Sequence, residues 1–254
     1  MKEQRYSSLE NALRVLELFS IEEPDLSVRE VAERLSVADS TSHRLLKTLL
    51  NEGFVTKDDR SNRYRLGISI RALESVIKKD LSLYHTSQHV LSTYVTRVCE
   101  TISICVLHRN QTFYLHTVEP DPEQMFYTGL TYVGKRQHVL FTSAGKVLLS
   151  DKTKAEVKTV LSEVENELSL EHMMAELKQI NEKGYNISYN NFSSGITSIS
   201  APVKNKDHQV IAAVEILGPG QRITTEILGK YVKLIKEIAH EIETRVDIKN
   251  VAIK

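Results

Sequence analysis

Only two cysteines, Cys99 and Cys105, occur among the 254 residues, six positions apart and with no C-x-x-C. That spacing argues against a disulfide framework and against a structural zinc site, and both read as small apolar core residues. No apolar run approaches the roughly 20 residues needed to cross a bilayer, so no membrane partner is expected. The opening MKEQRYSSLENALRVLELFS has no apolar segment after a basic one and no small-residue cleavage site, which predicts a cytoplasmic protein. Catalytic signatures are missing too. There is no G-x-S-x-G, no H-E-x-x-H and no H-x-E with P-C-x-x-C, and Ser193-Ser194-Gly195 lacks the preceding glycine of a nucleophile elbow. Among nine histidines, His85 and His89 stand i, i+4 but have no third ligand nearby, and they read as surface cover. No catalytic residue, metal or cofactor is expected.

Net charge is also absent, with 33 basic and 33 acidic residues, yet the charges are not evenly spread. Residues 3–39 carry a net of −5 and residues 40–79 a net of +5. A basic stretch beside an acidic one suits a face that meets phosphates, but an ordinary solvated surface has the same look. With 41% hydrophobic and 26% charged residues, the chain has the composition of a globular protein of about two domains.

Periodicity then predicts elements. Leu9, Ala12, Leu13, Leu16 and Phe19 recur at helical spacing over residues 8–20, with Ser7 and Glu10 as a capping box. Ser27 and Glu30 form a second box, flanked by Leu26 and Val31 as a hydrophobic staple. Val28, Val31, Ala32 and Leu35 follow as an apolar stripe. After Ser36-Val37-Ala38 a third helix is expected over 39–52, capped by Asp39 or Ser40 and buried through Leu45, Leu46 and Leu49. Its other face carries Ser40, Thr41, His43, Arg44, Lys47 and Thr48, hydroxyls first and cations one turn later, as a helix entering a major groove needs. Gly53 is placed to end it. Phe54–Lys57 and Arg63–Leu66 read as two strands around a five-residue turn, a wing whose Lys57, Arg60, Arg63 and Arg65 sit near the DNA backbone. A tri-helical core used for protein contacts would share the helices, but not the basic third helix and wing in this order.

The runs SLENALRVLELFS, LSVREVAERLSVADSTSHRLLKTLLNEGFV and NRYRLG closely resemble the N-terminal domain of the IclR family of bacterial transcription regulators, and the resemblance continues into the second half. It implies an α+β two-domain chain: a winged helix-turn-helix over 1–67, a linker helix over 68–81, and a GAF-like effector domain over 82–254 with an antiparallel sheet flanked by helices. It implies homodimers or dimers of dimers on a double-stranded DNA operator. It implies, too, a small-molecule effector that modulates a regulator, more a repressor than an activator. Residues 68–80 are helical in pattern, with Ile70, Leu73, Val76 and Ile77 on one side. Beyond them, helices are expected at 83–100, 142–150, 152–163, 170–183 and 224–246. Strands are expected at 102–108, 112–118, 186–191, 197–203 and 209–217, the first pair turning at Asn110-Gln111.

The second half repeats family landmarks: Thr142-Ser143-Ala144-Gly145-Lys146, Gly184-Tyr185, Gly195-Ile196, Ala201-Pro202-Val203 and Gly218-Pro219. Leu140 in place of glycine rules out a phosphate loop. Thr142 reads as an N-cap, leaving the N–H groups of Ser143 and Ala144 to meet an effector oxygen. Carried across from the family, the pocket's polar positions fall on Ser188, Ser198, Glu215 and Leu217, and an acid is missing near Asn191. Glu215, if it points inward, repels an anion, which counts against a small organic acid and leaves a sugar, polyol or cationic ligand on an equal footing, with a degenerate pocket a further alternative; on strand alternation alone it could equally face solvent. An enzyme fused to a DNA-binding module and a ligand-free architectural DNA binder are the alternatives. A thermal-shift screen across metabolites, followed by a check for turnover, separates them.

Overall fold

The computed structural model describes residues 6–80, 82–121, 131–164, 169–189 and 195–246. The chain divides into two compact units, Met1–Asp80 and Leu81–Lys254.

In the first unit, α1 (Ser8–Glu17) and α2 (Val28–Leu35) both start in complete capping boxes. In the second of these, the Glu30 N–H donates to Ser27 Oγ at 3.3 Å and the Ser27 N–H donates to Glu30 Oε2 at 2.7 Å. Each box satisfies two backbone donors that a helix start leaves open. Leu26 and Val31 are buried in one cluster with Val15, Leu35, Leu45, Leu46, Leu49, Val55 and Tyr64. Helix α1 departs from its expected stripe: Val15 is buried while Leu9 and Leu13 are exposed. Helix α3 (Asp39–Asn51) starts where expected and ends one residue earlier. Its N-cap is Ala38, with no side-chain cap bond, so neither Asp39 nor Ser40 plays that part. Asp39 lies instead in the first turn, where its charge favours the helix dipole. Gly53 follows in the left-handed region at φ 71°, as a helix-ending residue often does. Strands β2 (Val55–Lys57) and β3 (Tyr64–Leu66) pair antiparallel, and β3 also pairs with β1 (Asp25–Leu26), a two-residue strand too short to leave a periodic signal. Helix α4 (Ser69–Asp80) closes the unit, with Leu73, Val76 and Ile77 exposed.

The second unit is a six-stranded antiparallel sheet in the order β6-β5-β4-β9-β8-β7. Its strands are β4 (Thr101–His108), β5 (Gln111–Val118), β6 (Arg136–His138), β7 (Asn186–Tyr189), β8 (Ile196–Lys204) and β9 (Val210–Pro219). The short edge strand β6 was not expected from sequence. The β4–β5 turn is Arg109-Asn110, both at positive φ, with Gln111 already in the strand opposite His108. On one face, Ile102, Ile104, Ile199, Val214 and Ile216 pack with α5 (Ser82–Val98) and α9 (Thr225–Arg245). On the other, Cys105, Tyr114 and Ala213 pack with α6 (Ser143–Leu149), α7 (Lys154–Leu161) and α8 (Leu170–Lys183). Cys105 is therefore core, as expected. Cys99 is not: it follows α5 in the left-handed region at φ 56° and is exposed, because the turn that ends the helix swings its side chain outward.

Candidate DNA-contacting face and effector site

Helix α3 is held by its inward side. Leu45, Leu46 and Leu49 are buried, and the buried Ser42 hydroxyl donates to the Val28 carbonyl at 2.8 Å, tying α3 to the first turn of α2. Ser40, His43, Arg44, Lys47 and Thr48 are exposed on the opposite side, with Thr41 half-buried at its margin. The Thr48 hydroxyl donates back to the Arg44 carbonyl at 3.0 Å. No ion pair engages Arg44 or Lys47 among the described residues, so both cations face solvent unneutralised.

The wing is different. Asp58 organises its turn by accepting from the N–H groups of Arg60 and Ser61 at 2.8 and 2.9 Å. Lys57, Arg60 and Arg65 are exposed, and the Lys57 ammonium lies 5.8 Å from the Tyr64 ring centre. Arg63 is half-buried and committed inward: its guanidinium pairs with Asp25 and, at 2.9 Å, with Glu30. Arg65 also reaches Asp25, at 3.1 Å. Contacts to Ser27 and Arg63 hold the Glu30 carboxyl down at about 2, so it stays ionised. The acidic residues 22–30 thus neutralise part of the basic stretch within the same unit. Among the described residues of α3 and the wing, Arg44, Lys47, Lys57 and Arg60 are the exposed cations without an ion pair.

The second cluster lies on the sheet face beneath α6. Thr117, Ser103, Glu215, Ser200 and Asn186 occupy successive strands in direct cross-strand register and form one polar row. Two residues along, and therefore on the same face, come Leu217, Ser198 and Ser188. Glu215 is fully buried. Its Oε2 accepts from the Tyr114 hydroxyl at 2.8 Å, and its Oε1 accepts from the Ala144 N–H and the Ser200 hydroxyl, each at 3.3 Å. The Ser198 hydroxyl adds a further contact. No cation pairs with it among the described residues. Burial therefore dominates over these neutral donors and pushes its pKa up to about 7. The question left open by strand alternation is settled: Glu215 points inward.

Ser143 and Ala144 are buried at the start of α6. Thr142 caps it by accepting from the Gly145 N–H at 2.8 Å, as expected, and Ser143 Oγ donates to the Asn186 carbonyl at 3.3 Å. Gly145 is required by proximity, since a Cβ there would fall 2.0 Å from the Val139 carbonyl oxygen. Beside Glu215, Ser103 Oγ shares hydrogen bonds with Thr117 at 3.0 Å and Thr131 at 3.2 Å. The Ser188 hydroxyl is buried and has no hydrogen-bond partner among the described residues. The six expected effector residues thus converge, whereas Asn191 lies outside the described residues. Tyr114, Ser200, Ser103 and Thr131 were not anticipated. The Ser198-x-Ser200 repeat at period two was a usable signal; Tyr114 left none.

Comparison with known proteins agrees with this architecture. The family described as "IclR helix-turn-helix domain" matches residues 8–59, and that described as "Bacterial transcriptional regulator IclR C-terminal" matches residues 75–244. The chain is 26% identical over 243 residues to the HTH-type transcriptional regulator KdgR of Escherichia coli, covering 91% of each. It is 30% identical over 229 residues to the glycerol operon regulatory protein of Streptomyces coelicolor, covering 86% of this chain and 87% of that one. The crystal structure of an IclR transcriptional regulator from Alicyclobacillus acidocaldarius superposes with a TM-score of 0.81 at 26% identity, covering 96% of this chain and all of the other. With its helix-turn-helix, its exposed cationic third helix and both family domains in order, the chain belongs to the IclR family and is a DNA-binding transcription regulator.

Proposed function

We propose that this regulator grips a pseudo-palindromic operator as a homodimer or dimer of dimers, and that a small molecule seated on the polar row around Glu215 alters that grip. The observation that carries the DNA half is the outer face of α3, where Ser40, His43, Arg44, Lys47 and Thr48 are exposed and neither cation is neutralised by any described residue. Arg44 reads a base edge or a phosphate. Lys47, Lys57, Arg60 and Arg65 position the domain on the backbone, with Thr41 at the edge of the contact. Arg63 acts at one remove, holding the wing against the start of α2 through Asp25 and Glu30. Helix α4, within the linker at 68–81, supplies subunit contacts through its exposed Leu73, Val76 and Ile77. The effector residues are Ser143, Ala144, Ser188, Ser198, Glu215 and Leu217, and their occupancy shifts the population between two arrangements of the dimer. The protein acts in the cytoplasm, more as a repressor than an activator, and catalyses no reaction.

The test is fluorescence anisotropy with fragments recovered by selection from genomic DNA. Wild-type affinity falls steeply with salt. Arg44→Ala costs about 1–3 kcal/mol at fixed salt. Affinity unchanged in Arg44→Ala removes that residue from the interface, and no salt-sensitive binding to any duplex ends the proposal.

A further inference from the structure

We propose that Glu215 sets the charge class of the effector: its carboxylate occupies the donor set that would otherwise receive an anionic ligand, so the site refuses carboxylates and accepts a neutral polyhydroxylated molecule. This rests on the reading that the polar row is the effector site. Four neutral donors converge here from three different elements: Tyr114 on β5, the Ala144 N–H on α6, Ser198 and Ser200 on β8. The fourth element is β9, which brings the acceptor, Glu215 itself. Hydroxyl and N–H donors gathered at one buried point, with no guanidinium or ammonium among them, are the chemistry that recognises a carboxylate by hydrogen bonds. In this chain the carboxylate is already tethered there. A second anion arriving beside it would find the donors taken and a like charge within a water-poor site.

A neutral polyol meets the opposite circumstances. The carboxylate's roughly four lone-pair sites are met by those four donors, so the hydroxyls of a neutral ligand bond to groups beside it. One step along the same face, the buried Ser188 hydroxyl, opposite Ser198, has no partner among the described residues. A buried hydroxyl left unpaired is costly, and a ligand hydroxyl would satisfy it. The same face carries Ser103 and Thr131, so the polar surface extends beyond a single contact point. Leu217, two residues beyond Glu215, offers the carbon skeleton an apolar patch.

The test uses the full-length protein with pyruvate and benzoate as anionic probes and glycerol and xylitol as neutral ones. Binding is read by calorimetry and thermal shift for wild type, Glu215→Ser and Glu215→Gln. Glu215→Ser frees the donors and is expected to bind at least one anionic probe roughly a hundredfold more tightly than wild type does. Wild type is expected to respond to at least one neutral probe, and Glu215→Gln, which keeps the shape without the charge, guards against a folding failure in the smaller variant. Wild type binding pyruvate or benzoate as tightly as Glu215→Ser does would overturn the proposal, as would anion affinity unchanged in both variants. Each probe is also added to the operator-binding assay. If the variants gain anion binding while no probe moves DNA affinity, the charge selectivity of the site stands and the sensor reading falls.

Discussion

At the residue scale, Glu215 is a buried carboxyl held by neutral donors. Its carboxyl titrates near 7 rather than near 4.5 because burial without a cation penalises the ionised form more than its hydrogen bonds favour it. Tyr114 and Cys105 share its surroundings, and burial together with the nearby carboxylate pushes both well above their ordinary ranges, so neither ionises between pH 5 and 8. The direction of the stability effect follows. Below about pH 4.5 the group is protonated in folded and unfolded chains alike and costs nothing. As the pH rises towards 7 the unfolded chain ionises first, and stability is lost, reaching about 3 kcal/mol once both are ionised. Glu215→Gln has no such loss. Its melting temperature relative to wild type is therefore expected to climb between pH 5 and pH 8, measured by scanning calorimetry at several pH values. A gap that stays constant would mean the carboxyl titrates normally.

At the scale of elements, α6 shows how a short helix is held by its surroundings rather than by its own propensity. Seven residues are too few to be stable alone. Thr142 caps the helix, its buried side packs against Tyr114 and Ala213, and the absence of a side chain at Gly145 lets the first turn approach the Val139 carbonyl. Gly145→Ala is expected to destabilise the second unit by about 3 kcal/mol through overpacking against backbone that has little room to yield. Urea denaturation read by tryptophan-independent circular dichroism measures this, and a loss below a few tenths of a kcal/mol would show that α6 can shift. By contrast α2 is specified locally. Its capping box, its staple and the left-handed Ser36 that ends it are all short-range features, which is why its limits were readable from the sequence.

At the scale of the whole molecule, the apolar residues of α4 are the basis of the proposed subunit contact. Leu73, Val76 and Ile77 recur at helical spacing and remain exposed, as do Leu9 and Leu13 on α1. If α4 forms the proposed subunit contact, Val76→Asp is expected to give monomers where the wild type is a dimer, in light scattering coupled to gel filtration. Because the second half-site is then no longer reached from a linked partner, operator affinity should drop by roughly a hundredfold. A variant that stays dimeric would place the subunit contact elsewhere.

Much of the first unit was legible in the sequence. Helix periods, capping boxes and the polar face of α3 are set by neighbours three or four residues apart, and the order of helices, turn and wing follows from them. What the sequence left undecided depends on partners distant in the chain. Leu9 and Leu13 obey the helical period yet stay exposed, since the period says which residues share a side but not what covers it. Arg63 reads as one more wing cation until β1 brings Asp25 beside it. Glu215 sits in VIAAVEILGP, a strand covered by helices on both faces, where hydrophobic alternation is erased and nothing local says which way a carboxylate points. Only the packing of α6 against that sheet turned it inward, onto donors supplied by three other elements.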